Sequence, residues 1–261
     1  MDKDYTILNK KVIDANKLIG KRKYEDAKSI LLDYIDEVQD LYDRKDGVNY
    51  SFKSISQFYL FINKVKVKKQ IFWINLMADE AYRLLAYIAV EEKKYDNALE
   101  YLNKSLKYNP INVDSFFEII EAYKMSGNLD NMKESIDNLY DYLYDASSLA
   151  RYYRNLGFYY IEKEKYELAF SLYLISIRYE HNNFALNEML YIRKKLNDSD
   201  YIIEDNEAVK MLKENDINIG ISSRNLKILN NLAKDPKLNE KNPSFIKNLK
   251  ENIKKVQIKI N

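Results

Sequence analysis

The chain has no cysteine and a single histidine, His181, among its 261 residues. Without cysteine there is no disulfide framework and no thiolate to act as nucleophile or ligand, a composition that suits a reducing compartment. One histidine cannot assemble the usual zinc ligand set, so neither metal nor cofactor is expected. Five glycines and three prolines are few for this length. They are too scattered for a phosphate-cradling loop, and they leave long helices uninterrupted, so an all-α protein is expected. A charge excess is also missing, with 42 basic residues against 40 acidic ones and a net charge of +2. That balance excludes the strongly basic profile of a nucleic-acid-binding protein. No apolar run approaches the roughly 18 residues that span a bilayer. The aromatic-rich stretch 52–74 is interrupted by Lys64, Lys66, Lys68 and Lys69. Met1-Asp2-Lys3-Asp4-Tyr5 has no apolar core of the kind a signal peptide carries. The expectation is a cytoplasmic protein with neither a nucleic-acid nor a membrane partner.

What is present is 46% hydrophobic residues, enough for a sizeable core, and 24 tyrosines. Tyrosine is abundant together with Lys, Asn and Ile, as in proteins from AT-rich genomes. The informative feature is a recurring spacing. One copy runs Tyr153-x-x-Leu156-Gly157-x-x-Tyr160, then Ala169-x-x-x-Tyr173. Another runs Tyr82-x-x-Leu85-Ala86, then Ala98-x-x-x-Leu102, then Pro110. A third, with Phe116, Ile119 and Tyr123 and a turn at Gly127-Asn128, carries Ile120 and Met132 where small residues are usual. An N-terminal copy keeps Ala15, Leu18, Ala27 and Leu31, with Gly20 as the expected stop of its first helix. Small residues at these places let helix backbones approach closely.

This pattern resembles the tetratricopeptide-repeat (TPR) superfamily, over roughly residues 8–41 and 79–183, with a helix–turn–helix period of about 34 residues. The resemblance implies a right-handed helical-repeat solenoid whose first helices line a concave groove. It also implies a non-enzymatic scaffold or adaptor for a protein or peptide. A peptide-sensing regulator of transcription or of a partner protein is the alternative, although no basic recognition helix is evident. The expected organisation is an N-terminal helix pair at 1–41, an inserted helical segment at 42–78, repeats at 79–196 and a helical cap at 197–261. In the insertion, Tyr50, Phe52, Ile55, Phe58, Tyr59 and Ile62 predict an amphipathic helix. Val65-Lys66-Val67-Lys68 is too short and isolated to predict a strand. A second helix is expected to start near Gln70, and the gap of nearly two periods leaves room for a degenerate repeat. In the cap, Ser222-Ser223 and Asn242-Pro243 predict helix starts.

In the repeat register the groove-facing places are Glu80, Arg83, Tyr87 and Val90; Asp114, Phe117, Glu121 and Lys124; Arg151, Arg154, Phe158 and Ile161. Of these, Arg83, Tyr87, Phe117, Glu121, Lys124, Arg151, Arg154 and Phe158 form the candidate binding set, because Arg and aromatic residues dominate interface energetics. The competing view is that they pack on the C-terminal segment or on Glu80 and Glu121. The carboxylate clamp of one TPR subgroup is incomplete here: Arg83 stands at its first basic place, but Tyr87 replaces the partner Asn, and Phe117-Glu118 offers a carboxylate nothing. The Lys64–Lys69 cluster reads more simply as a solvated turn than as a phosphate site, and the basic C-terminal helix as an ordinary cap. His181 stands where the repeat has proline, and Gly157 is explained by helix packing. Self-association is compatible with the sequence.

Overall fold

Six turns among the described residues share one backbone geometry. At each, a residue adopts left-handed φ: Arg22, Lys93, Gly127, Glu164, Asn197 and Asp216, between +54° and +74°. The next N–H then reaches back to the carbonyl five residues earlier, as Lys23 does to Leu18 (3.0 Å), Lys94 to Ala89 (2.8 Å), Asn128 to Tyr123 (2.9 Å) and Lys165 to Tyr160 (2.9 Å). This closes the orphan carbonyls at a helix end and redirects the chain sharply. Three of the turns continue alike, with Lys23-Tyr24, Lys94-Tyr95 and Lys165-Tyr166 opening a helix that buries Ala27, Ala98 and Ala169 three residues later. Gly20 does end its helix, but the left-handed residue that makes the turn is Arg22.

The structure, a computed structural model, describes residues 5–43, 46–66 and 68–257. Fourteen α-helices lie among them, in two compact units, Met1–Met132 and Lys133–Asn261. The helices pack on their neighbours in an array compatible with a helical-repeat fold. No helix among the described residues is long and apolar enough to cross a membrane.

In the first unit, α1 (Thr6–Gly20) packs on α2 (Tyr24–Val38), α4 (Ala78–Glu91) on α5 (Tyr95–Tyr108), and α5 on α6 (Val113–Met125). Their contact surfaces are apolar and small: Val12, Ala15, Ala27, Leu31, Ala81, Leu85, Ala86, Ala98 and Leu102 are all buried. Between α2 and α4 the expected second helix at Gln70 does not form. The chain instead makes β1 (Gly47–Tyr50), α3 (Ile55–Lys64) and β2 (Gln70–Trp73), and the two strands pair in parallel. A strand wins over a helix at Gln70 because Ile71, Phe72 and Trp73 are β-formers and Gly47 admits them. A Cβ on Gly47 would collide with the Gln70 carbonyl. No degenerate repeat fills the gap, since α4 packs directly on α2. The amphipathic helix expected here is α3, and Ser54 caps it by accepting the Gln57 N–H. The Val65–Lys68 alternation forms no strand at its described residues; its Val67 and the N-terminal Met1–Asp4 lie outside them.

In the second unit, α8 (Ala146–Glu162) packs on α9 (Tyr166–Tyr179), which also receives α10 (Asn183–Leu196) and α11 (Asp205–Glu214). Gly157 sits under the Tyr173 ring, where a Cβ would come within 2.7 Å of it. The helix α7 (Leu129–Tyr140) carries the boundary between the units. The remaining chain is helical as expected: α12 (Ser223–Ala233) capped by Ser222, and α14 (Pro243–Val256) with Ile246, Leu249, Ile253 and Val256 buried. A short helix, α13 (Pro236–Lys241), was not anticipated; Pro236 at its first turn and the Asp235 cap explain it.

Candidate binding site

On α4 of the first unit, Arg83 is held in place by carboxylates. Its Nε donates to Glu80 Oε2 at 3.0 Å and its Nη2 to Glu80 Oε1 at 2.5 Å, a bidentate fork one helical turn apart. Its Nη1 lies 3.5 Å from Glu118 Oε1 on α6. Lys53 completes the network, 3.1 Å from Glu80 and 2.6 Å from Asp114. Burial alone would raise the Glu80 carboxyl, but the Arg83 hydrogen bond and the charges of Arg83 and Lys53 outweigh it and bring it down to about 2. Burial likewise works against the Arg83 charge, yet Glu80 and Glu118 hold its proton more firmly than usual. This is why a carboxylate clamp is incomplete here in charge as well as in sequence: two glutamates already neutralise the one arginine at the clamp position.

Arg83 and Tyr87 border a cavity of about 400 Å³. Its other walls come from α1 and the turn that follows it, with Asn16, Ile19, Arg22 and Tyr24, and from Glu91 and Glu118. The Tyr24 hydroxyl donates to Glu91 at 3.2 Å. Burial, then the Glu91 and Glu118 charges, push the Tyr87 phenol above its ordinary value, and Arg22 partly opposes them. The cavity therefore combines the aliphatic Ile19 and Leu84 with two tyrosines and charges of both signs.

The other predicted residues are distributed differently. Phe117 is 2% exposed and belongs to the packed core of its unit. Val90 and, in the second unit, Ile161 are buried as well. Glu121 and Lys124 face each other along α6 at 3.6 Å. In the second unit Arg154 donates from Nη1 and Nη2 to Glu180 Oε2, at 3.3 and 3.2 Å, and Arg151 and Phe158 are half-buried on the same α8 row. The neighbouring row of α8 takes the chain at 215–220. The Tyr153 hydroxyl donates to the Asn218 carbonyl at 3.0 Å and accepts from the Gly220 N–H at 2.9 Å. Tyr152, Leu156 and Tyr160 share a cavity of about 340 Å³ with Asn215–Asn218. The C-terminal segment is further tied by Asn225 Nδ2 to the Leu143 carbonyl (2.7 Å) and Asn252 Nδ2 to the Tyr144 carbonyl (2.8 Å).

Sequence reasoning missed Arg22, Tyr24 and Glu118 as cavity residues. Arg22 and Tyr24 could have been found by aligning the three Lys-Tyr turns, which place a tyrosine just past each left-handed residue. Glu118 had no comparable signal, because only its approach to Arg83 gives it a role. Among the described residues no group of three or more His, Asp or Glu side chains could hold a metal ion. The chain matches no protein-family model, and no curated protein is significantly similar to it.

Proposed function

We propose that the chain is a cytoplasmic, non-enzymatic TPR-type scaffold, with the right-handed stacking and helical C-terminal cap that the sequence resemblance implies, and that it binds a protein or peptide segment through its first helices. The observation that carries this is the cavity of the first unit, built by α1, α4 and α6 around Arg83 and Tyr87. Its two tyrosine rings with Ile19 and Leu84 suit a side chain, and its charges of both signs suit a polar peptide backbone more than a small anion. Arg83, already neutralised by Glu80 and Glu118, serves to orient Glu118 and the cavity wall. Arg151, Arg154 and Phe158 form the corresponding surface of the second unit.

The test is photo-cross-linking in the native host, with a benzophenone amino acid in place of Tyr87 and, as a control, in place of Lys104 on the second helix of the same pair. A discrete adduct at Tyr87 that is absent at Lys104, and is lost when Arg22 is changed to Glu, is the expected outcome. The same adducts at both positions, or none at Tyr87, would sink the proposal.

A further inference from the structure

The strand–helix–strand segment of the first unit has one open side. Val48 stands opposite Ile71 and Tyr50 opposite Trp73 in the parallel pair, and the Ile74 N–H donates to the Tyr50 carbonyl at 3.0 Å. In a parallel ladder of this phase, the N–H and C=O groups of Phe72 turn to β1, and those of Ile71 and Trp73 turn the other way. The far side of β1 is covered: Asn49 is buried there with its Nδ2 donating to the Leu41 carbonyl at 3.0 Å, and the Ser51 N–H beyond the strand's end donates to the Tyr108 carbonyl at 2.8 Å. On β2, by contrast, no third strand follows among the described residues, and the outward groups of Ile71 and Trp73 have no hydrogen-bond partner there. Two donors and two acceptors are thus presented at the spacing of a strand edge, the arrangement that accepts an added strand.

The side chains around this edge limit what can be added. Lys66, Lys68 and Lys69 just before β2 are exposed, and none takes part in an ion pair among the described residues. At the other end Trp73 is 41% exposed and stacks on Phe58, with ring centroids 5.6 Å apart. Elsewhere in this unit lysines such as Lys11, Lys28 and Lys53 are matched by acids. We propose that β2 is a docking strand for an extended acidic peptide of a partner protein. The peptide adds beside β2 as a third strand, bonds the backbone of Ile71 and Trp73, and sets its carboxylates against Lys66, Lys68 and Lys69. Main-chain pairing supplies affinity without sequence preference, so the lysines and the Trp73–Phe58 stack select the partner. The same lysines repel a basic strand, and a second copy of this chain would bring the same charges to the edge. A nucleic acid has no amide ladder and would leave the Ile71 and Trp73 groups unused. The site shares no residue with the Arg83 cavity and does not rest on it.

The test is selection of short random displayed peptides on the immobilised full chain. Enriched peptides should alternate apolar and acidic residues. Ile71→Pro removes one outward N–H while Phe72 and Ile74 keep the ladder to β1, and should weaken a selected peptide about tenfold. Changing Lys66, Lys68 and Lys69 together to Glu should weaken it at least as much. Circular dichroism and a melting curve check that each variant folds. If Ile71→Pro does not fold, alternate N-methylation of the selected peptide tests the same bonds from the partner's side. The proposal is overturned if no acidic alternating peptide is enriched, or if Ile71→Pro or N-methylation leaves binding unchanged. It is also overturned if a single-stranded oligonucleotide binds this edge independently of Ile71→Pro and displaces the peptides, or if light scattering shows a dimer that Ile71→Pro dissociates.

Discussion

The α8–α9 pair and the β1–α3–β2 segment are fastened by different means. In the pair, small residues let backbones close up: Ala150, Gly157 and Ala169 are buried, and the Tyr173 ring lies on Gly157. Its turn is local, with Glu164 in the left-handed region and Lys165 bonded back to Tyr160. The strand–helix–strand segment uses side chains that reach distant backbone. Ser51 Oγ donates to the Leu76 carbonyl at 2.7 Å, and the Tyr42 hydroxyl lies 2.5 Å from Ser51 Oγ. Gln57 Nε2 donates to the Ile111 carbonyl at 3.1 Å, while Gln57 Oε1 accepts from the Lys53 N–H and from Asn109 Nδ2. A helix pair can be written in spacing of a few residues, whereas an irregular excursion must satisfy its backbone groups with partners far along the chain.

The largest effect expected from this contrast is at Gly157. Gly157→Ala puts a Cβ within 2.7 Å of the fully buried Tyr173 ring, so ring or helix must shift, and should cost about 2–3 kcal/mol in urea unfolding. Gly20→Ala has nothing within 4 Å and no left-handed φ, and should be neutral or stabilise by about 0.5–1 kcal/mol. Equal tolerance of both would mean that close approach is not what fastens the pair. Next in size is Gln57→Leu, which strands the Ile111 carbonyl and removes an acceptor from Asn109, at about 1–3 kcal/mol. Its mark is where the loss falls: amide exchange should quicken first across residues 47–74, while α8 and α9 keep their protection. A uniform loss across the chain would erase the distinction between local and long-range fastening.

The same contrast explains what could be read from the sequence. Helix pairs were legible, since Ala27, Ala98 and Ala169 recur at fixed distance from their turns; α3 announced itself by its apolar stripe, and α12 and α14 by Ser222 and Pro243 at their starts, whereas the Ser54 cap of α3 came only with the structure. The strand at Gln70 was not legible, because four residues give too short a period to separate strand from helix, and its partner Gly47 lies beyond a whole helix. The candidate site was legible in part. Arg83 and Tyr87 on α4 follow from the repeat register, but the same register put Phe117 of α6 in the groove, and it is in fact core. Glu118, its neighbour, faces Arg83 because the pitch of α6 against α4 is set by packing that no single helix encodes.

The smallest effect concerns two adjacent carboxylates that this packing drives in opposite directions. Asp79 is buried, and burial raises its carboxyl from 3.8 to about 6, even though Asn109 and Asn112 each donate to Oδ2 at 2.9 Å and Lys53 opposes the shift. Glu80, paired with Arg83, is lowered from 4.5 to about 2. Between pH 3.8 and 6 the folded state holds the Asp79 proton more tightly than the unfolded chain does. Stability therefore falls as pH rises through that window and stays lower above it. For Glu80 the unfolded chain holds the proton more tightly between pH 2 and 4.5, so stability rises through that window and is lost on acidification. Taken together the two groups place the optimum near pH 4–5. Asp79→Asn should keep a carbonyl acceptor for Asn109 and Asn112 while removing the ionisation. Wild type should then lose on the order of 1–2 kcal/mol more than the variant between pH 4.5 and 7.5, read by urea unfolding at the two pH values. Parallel behaviour of the two proteins would show that Asp79 ionises as freely in the fold as in the unfolded chain, and that its amide partners fully replace the water it has lost.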